Sequence, residues 1–176
     1  SLSPELSSAM LVFGRNALGL ALILPIMLIR EGPDCLRTEH LRFHMVRGVV
    51  GVSSMYCYFF SLSGLALTDA VLLKLTSPFF IPVIAMLWLG ERTSLYTLMT
   101  IAFGFCGVVV LLQPGDAGLE DVLFVTAGVS GALLGGTAKV AIRRMGVAEP
   151  SARIVVYFGI VATTVSAPAA LLNWQW

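Results

Sequence analysis

Ala70–Arg92 reads AVLLKLTSPFFIPVIAMLWLGER, an apolar run interrupted by a single lysine and two prolines. A helix that spans a bilayer needs about 20 mostly apolar residues. This run is continuous and lacks in-out alternation, so it reads as a helix and not as a barrel strand. Its core, Thr68–Leu89, is the third of six such stretches. The others are Ser8–Ile29, Met45–Leu65, Leu95–Leu112, Val122–Ile142 and Ile154–Leu172. Breaks at Glu31–Asp34, Leu67–Thr68, Gly90–Arg92, Pro114–Asp116 and Gly146–Pro150 separate them.

Composition points the same way. Of 176 residues, 57% are hydrophobic and 12% charged, with a mean hydropathy of +0.91. Soluble domains run near 45–50% apolar and about 25% charged. A core of this size cannot hide so much apolar surface from water, so the solvent is lipid. The expected fold is all-α, a polytopic transmembrane bundle of about six spans. A net charge of +1 leaves no basic face for nucleic acid. Cys57 and Cys106 fall in apolar runs and Cys35 in a basic loop, which argues against a disulfide framework and for Cys57 and Cys106 as buried small hydrophobes.

The arginines orient the chain. Arg30, Arg37, Arg42 and Arg47 flank the first connection, Arg92 the third, and Arg143, Arg144 and Arg153 the fifth. The segments Ser1–Ser7, Gly64–Thr68 and Gln113–Asp121 carry no Lys or Arg. By the positive-inside rule the Arg loops face the cytoplasm and the Pro114–Asp121 loop faces out. Six spans then put both termini outside, and a short N-terminus is translocated most simply when another helix precedes it. At least one upstream helix, and more downstream, are therefore expected.

Polar groups at bilayer depth are costly and mark function. Lys74 lies about 9 Å below the outer end of its helix at 1.5 Å per residue. At 100° per residue it shares a face with Pro78, Pro82 and Ala85. Each proline lacks an N–H and deprives the carbonyl four residues earlier of its partner. Lys74, Pro78 and Pro82 thus form a strip with a cation and freed acceptors, either backbone that lines a cavity, with Ser77 as a further candidate substrate contact, or a kink with a snorkelling lysine. Arg15 sits at a similar depth in the first stretch; two cations at one level suit an anionic or zwitterionic substrate, or else Arg15 pairs with Asp69 or with carbonyls of a further helix. Asp69 reads as a first-turn residue favoured by the helix dipole. Tyr56 joins Ser53, Phe60 and Ser63 on one face of the second stretch, either as substrate contacts or as ordinary packing. Gly131 and Gly135 form G-x-x-x-G, a packing motif. Lys139 is expected to snorkel. His40 and His44, in the order Glu-His-x-x-x-His, read as a basic membrane-proximal stretch and not as a metal site.

With those residues in view, Ala70–Arg92 resembles the signature helix of EamA-type members of the drug/metabolite transporter superfamily: Thr/Ser-Pro, a hydrophobic stretch, and a terminal Leu-Gly-Glu-Arg. The following GFCGVVVLLQPG at Gly104–Gly115, LVFGRNALG around Arg15, and Arg144–Met145 with Glu149–Pro150 fit as well. The resemblance implies ten helices in two inverted five-helix repeats with cytoplasmic termini, of which this chain resembles helices two to seven. Residues 1–115 would be the remainder of the first repeat, with four spans, and residues 116–176 the start of the second, with two. A second Pro…Gly-Glu copy is not present.

The function expected is that of a secondary transporter, an exporter or exchanger, which moves a small metabolite or amphipathic compound by alternating access. It would sit in a bacterial inner membrane, with a small-molecule substrate and the lipid bilayer as partners. No P-loop, metal set or cofactor motif is seen. The alternatives are a membrane-embedded enzyme, for which no nucleophile or acid–base set is visible at depth, or an accessory membrane subunit. Nothing in the sequence signals an oligomeric state.

Overall fold

A computed structural model describes residues 8–112, 119–146 and 148–172. Among these residues every regular element is a helix: α1 Ser8–Glu31, α2 Leu41–Gly64, α3 Leu67–Leu75, α4 Ser77–Leu89, α5 Leu95–Leu112, α6 Leu119–Met145 and α7 Ser151–Leu172, with a 3-10 turn at Pro33–Leu36. The six stretches are recovered, with α3 and α4 together making the third. Five segments are long and apolar enough to cross a membrane: Val12–Glu31, Leu41–Gly64, Leu67–Leu89, Asp121–Met145 and Ser151–Pro168. The apolar helix at Leu95–Leu111 is shorter. Helices are the solution because lipid offers no partner for an exposed N–H or C=O. The loop assigned to Pro114–Asp121 lies mostly outside the described residues.

Burial is inverted relative to a water-soluble protein. Ile29 is 84% exposed, Leu87 77% and Phe103 81%, whereas His44, Ser61, Thr76 and Ser166 are at most 1% exposed. A surface this apolar is stable only against hydrocarbon. The chain is a polytopic α-helical membrane protein.

The described residues fall into two compact units, Ser1–Val52 with Ala141–Trp176, and Ser53–Val140. Each holds part of α2 and of α6. In the first, α1 packs along α7, where Leu20 lies against Gly159. Met27, Cys35 and Val156 form a buried cluster flanked by Leu20, Ile23, Leu24, Leu36 and Ala152. Gly48 of α2 lets Val161 of α7 come so close that a Cβ there would lie 2.4 Å from it.

In the second unit α6 turns its glycines to its neighbours. A Cβ on Gly131 would lie 3.1 Å from Cys57 Cβ and 3.2 Å from the Ser54 carbonyl oxygen, and one on Gly136 3.2 Å from the Ser77 carbonyl oxygen. Ser54 Oγ donates to the Gly131 carbonyl at 2.6 Å across this contact. The G-x-x-x-G motif is thus a packing surface, because only hydrogen at Cα allows backbones this near. The cysteines are free. Cys57 is half-buried, but Cys106 is exposed and Cys35 buried, which corrects the expectation for Cys106: its side of α5 faces outward with Phe103 and Val110.

Candidate functional site

The site begins at the break between α3 and α4. Pro78 has no N–H to give the Lys74 carbonyl, so α3 stops at Leu75 and the chain tightens. The Thr76 N–H reaches back to the Leu73 carbonyl at 3.1 Å, and its hydroxyl donates to the same oxygen at 2.6 Å. The Phe79 N–H donates to the Thr76 carbonyl at 2.9 Å instead of continuing the four-residue ladder. Pro78 then occupies the first turn of α4, where a missing donor costs little. Pro82 removes a second donor inside α4, and Thr93 Oγ1 approaches the Pro82 carbonyl at 3.4 Å. Gly90, at φ +69, closes α4 in a left-handed conformation, and the Glu91 N–H reaches the Ala85 carbonyl at 3.4 Å. The Gly-Glu-Arg stretch forms the turn between α4 and α5.

Two lysines bracket the break. Lys74 Nζ sits 4.1 Å from the centroid of the Tyr58 ring, a cation–π contact worth about 0.5–2 kcal/mol. Among the described residues no carboxylate pairs with Lys74. Lys139 of α6 donates to Ser77 Oγ at 3.2 Å, and Ser77 is only 4% exposed. Lys139 therefore reaches the break, in contrast to the snorkelling expected of it. Gly135 makes room there, since a Cβ on it would lie 3.1 Å from Ser54 Oγ and 3.5 Å from Ser77 Oγ.

Along α3 and α4 burial rises from exposed Lys74 and Pro78 to half-buried Pro82 and buried Ala85. Tyr56 is half-buried, and its hydroxyl has no hydrogen-bond partner among the described residues. The tyrosine that meets Lys74 is Tyr58, which the sequence reading missed. Its signal was the set Ser54, Cys57, Tyr58, Ser61, spaced for one helix face, and that face meets α6. Arg15 lies on an exposed part of α1, in the first compact unit.

The first unit holds a second polar cluster. Glu149, in the turn between α6 and α7, is 7% exposed. Its Oε1 accepts from Thr38 Oγ1 at 2.5 Å and its Oε2 from Arg153 Nη1 at 2.8 Å. His44 Nε2 lies 3.9 Å from the same Oε2. Burial pushes the Glu149 carboxyl up, but the Thr38 and Arg153 hydrogen bonds with the nearby charges of Arg153 and His44 outweigh it and hold the group below its ordinary value. Arg153 Nε also donates to the Cys35 carbonyl, and Tyr157 Oη to that of Leu36 at 2.7 Å. The α1–α2 connection is thereby tied to the start of α7. His44 is fully buried and stacked on Tyr157 at 4.4 Å. It is packed inside this cluster and not displayed on an exposed basic stretch.

Lipid-facing helices, polar side chains turned inward and a broken helix that carries a cation define a polytopic helical membrane protein. More particularly, the chain is a member of the EamA-like transporter family, whose model matches residues 1–113. It is 33% identical over 175 residues to the pseudopaline exporter of Pseudomonas aeruginosa, covering 98% of this chain and 59% of that protein. It is 27% identical over 175 residues to the S-adenosylmethionine uptake transporter of Rickettsia bellii, covering 98% of this chain and 58% of that protein. A riboflavin transporter of Brucella anthropi is 31% identical over 107 residues, 61% of this chain and 37% of that protein. No solved structure matches the chain.

Proposed function

We propose that this protein is a secondary transporter that exports or exchanges a small anionic or zwitterionic metabolite by alternating access. The observation that carries the reading is Lys74 poised on Tyr58 beside the Pro78 break. A cation held by a ring, with no carboxylate paired to it among the described residues, keeps its charge available to a passing anion. A helix already interrupted at Thr76 can bend without losing further hydrogen bonds. In this reading Arg15, Tyr56, Lys74, Ser77, Pro78 and Pro82 contact the substrate or shape its path. The Arg-rich loops face the cytoplasm of a bacterial inner membrane. The small-molecule cargoes named for the relatives, pseudopaline, riboflavin and S-adenosylmethionine, support a metabolite of that size class.

The test compares cells that express the parent with cells that express Lys74→Gln at matched membrane levels, measuring metabolites inside and in the medium. The parent is expected to shift a defined compound, and the variant to lose at least about tenfold of that flux. Equal shifts would remove Lys74 from the pathway while leaving transport intact. If neither strain shifted any compound over a wide panel, the transporter reading would fall.

A further inference from the structure

The geometry points to a second anion-binding position, at Arg47 in the second turn of α2, which engages the carboxylate or phosphate group of the transported solute. This inference rests on the transporter reading proposed above and adds a residue to which no role has been assigned.

Arg47 lies in the second turn of the Leu41–Gly64 helix, inside a segment long and apolar enough to cross a membrane. An arginine so placed ordinarily leans back toward the nearer helix end and carries its charge to the headgroups, the more easily because helical side chains slant toward the N-terminus. Arg47 does the reverse. A Cβ placed on Gly51, one turn deeper, would fall 2.4 Å from Arg47 Nη1 and 2.9 Å from Phe158 Cε2. The guanidinium therefore occupies the space that Gly51 leaves empty, near the middle of α2. There it lies over the Phe158 ring of α7, 4.1 Å from the centroid. An alanine at position 51 would close this cradle.

Among the described residues no acid pairs with this charge. Arg47 Nε is buried without a hydrogen-bond acceptor among the described residues. The nearest candidate by topology, Glu149, is already engaged by Thr38 and Arg153. One turn earlier, both ring nitrogens of fully buried His44 also lack hydrogen-bond partners, with the ring held on Tyr157. Consecutive α7 residues, Tyr157 and Phe158, thus brace two nitrogen donors of α2, and each brace is a ring face that supplies position but no acceptor. Buried donors in native proteins are almost always satisfied. A cation at bilayer depth without a counter-ion is satisfied by something that comes and goes. A planar guanidinium fixed by stacking matches a carboxylate or a phosphate in two-point contact. Arg47 is then a binding residue and Phe158 a positioning residue.

A lipid phosphate could present the same chemistry, so the test separates the two sources. The full chain and its Arg47→Gln, Arg47→Lys, Phe158→Leu and Arg42→Gln variants are expressed at matched membrane levels, and cell and medium metabolites are compared. The compounds moved by the parent are expected to carry a carboxylate or phosphate. Arg47→Gln is expected to raise the half-saturating concentration about tenfold or more. Arg47→Lys should recover part of that loss, because it keeps the charge without the planar fork. Phe158→Leu should raise half-saturation while keeping the maximal rate, and Arg42→Gln, exposed in the first turn of α2, should match the parent. An Arg47→Gln variant that folds and moves the same anions at the parent's half-saturation overturns the proposal and leaves transport standing. So does a cargo without an anionic group. If Arg47→Gln keeps half-saturation but loses thermal stability in membranes together with co-purified anionic lipid, the ligand is a headgroup and the solute assignment is wrong. A parent that moves nothing brings down this inference together with the function on which it rests.

Discussion

Replacing Gly131 with leucine tests the packing argument most directly. A Cβ at this position would already stand 3.1 Å from Cys57 Cβ, 3.2 Å from the Ser54 carbonyl oxygen and 3.4 Å from the Tyr58 nitrogen. Two of those three atoms are backbone and cannot rotate away. Even a methyl would require α2 and α6 to separate by a few tenths of an ångström, and a leucine requires more than 1 Å by simple van der Waals contact at about 3.5–4 Å. That separation breaks the 2.6 Å bond from Ser54 to the Gly131 carbonyl, which is worth about 0.6–1.7 kcal/mol in a membrane protein. Overpacking adds about 1–3 kcal/mol, and the better helix propensity of leucine returns somewhat under 1 kcal/mol. The net loss is about 1–4 kcal/mol, or roughly 3–15 °C in Tm for a chain of this length. Thermal unfolding of purified protein in mild detergent measures it, with Gly107→Leu as the control. Gly107 is exposed on α5 with nothing within 4 Å of its Cβ, so leucine there should leave Tm unchanged or slightly raised. If Gly131→Leu melts within about 2 °C of the parent, less than one hydrogen bond's worth, the close approach of α2 and α6 is not what holds this unit together.

Glu149→Gln should destabilise the first unit by about 2–3 kcal/mol, since Arg153 and Thr38 lose their charged acceptor. The carboxyl is held below its ordinary value, so its contribution is present above the unfolded-state pKa of about 4.3 and disappears as pH falls through the lower folded value. The Tm gap between parent and variant should accordingly be full at pH 6–7 and shrink on acidification below about pH 4; a gap independent of pH refutes the assignment. Pro78→Ala restores the N–H that α3 lacks, and should raise Tm by joining α3 to α4 while slowing transport. Loss of Tm without loss of flux would show the break to be structural only. Tyr58→Leu removes the ring under Lys74 and should cost about 0.5–2 kcal/mol of stability in the parent but much less in a Lys74→Met background. Additive effects in that double-mutant cycle would mean that the cation–π contact carries no energy.

The outward side of this protein and its local breaks were legible from the chain alone. Continuous apolar runs near 20 residues leave no alternative to spanning helices, because lipid cannot satisfy a bare backbone. All six stretches emerged as helices for that reason. Pro78 interrupts α3–α4 and Gly90 ends α4 through missing atoms, an N–H in one case and a Cβ in the other, so those features are local and readable. The Gly131–Gly135 pair announced close packing in the same way. Which polar groups meet was not readable. Lys139 and Ser77 are 62 positions apart, Ser54 and Gly131 77, Thr38 and Glu149 111. A helix's periodicity says which residues share a face and is silent on what that face touches. For this reason Tyr58 rather than Tyr56 meets Lys74, and His44 is packed inside the protein rather than exposed. Arg47 is the sharpest case. By position it belongs with the other arginines that flank the first connection, and only the hollow at Gly51 and the ring of Phe158, contributed by a distant helix, turn its charge toward the middle of α2.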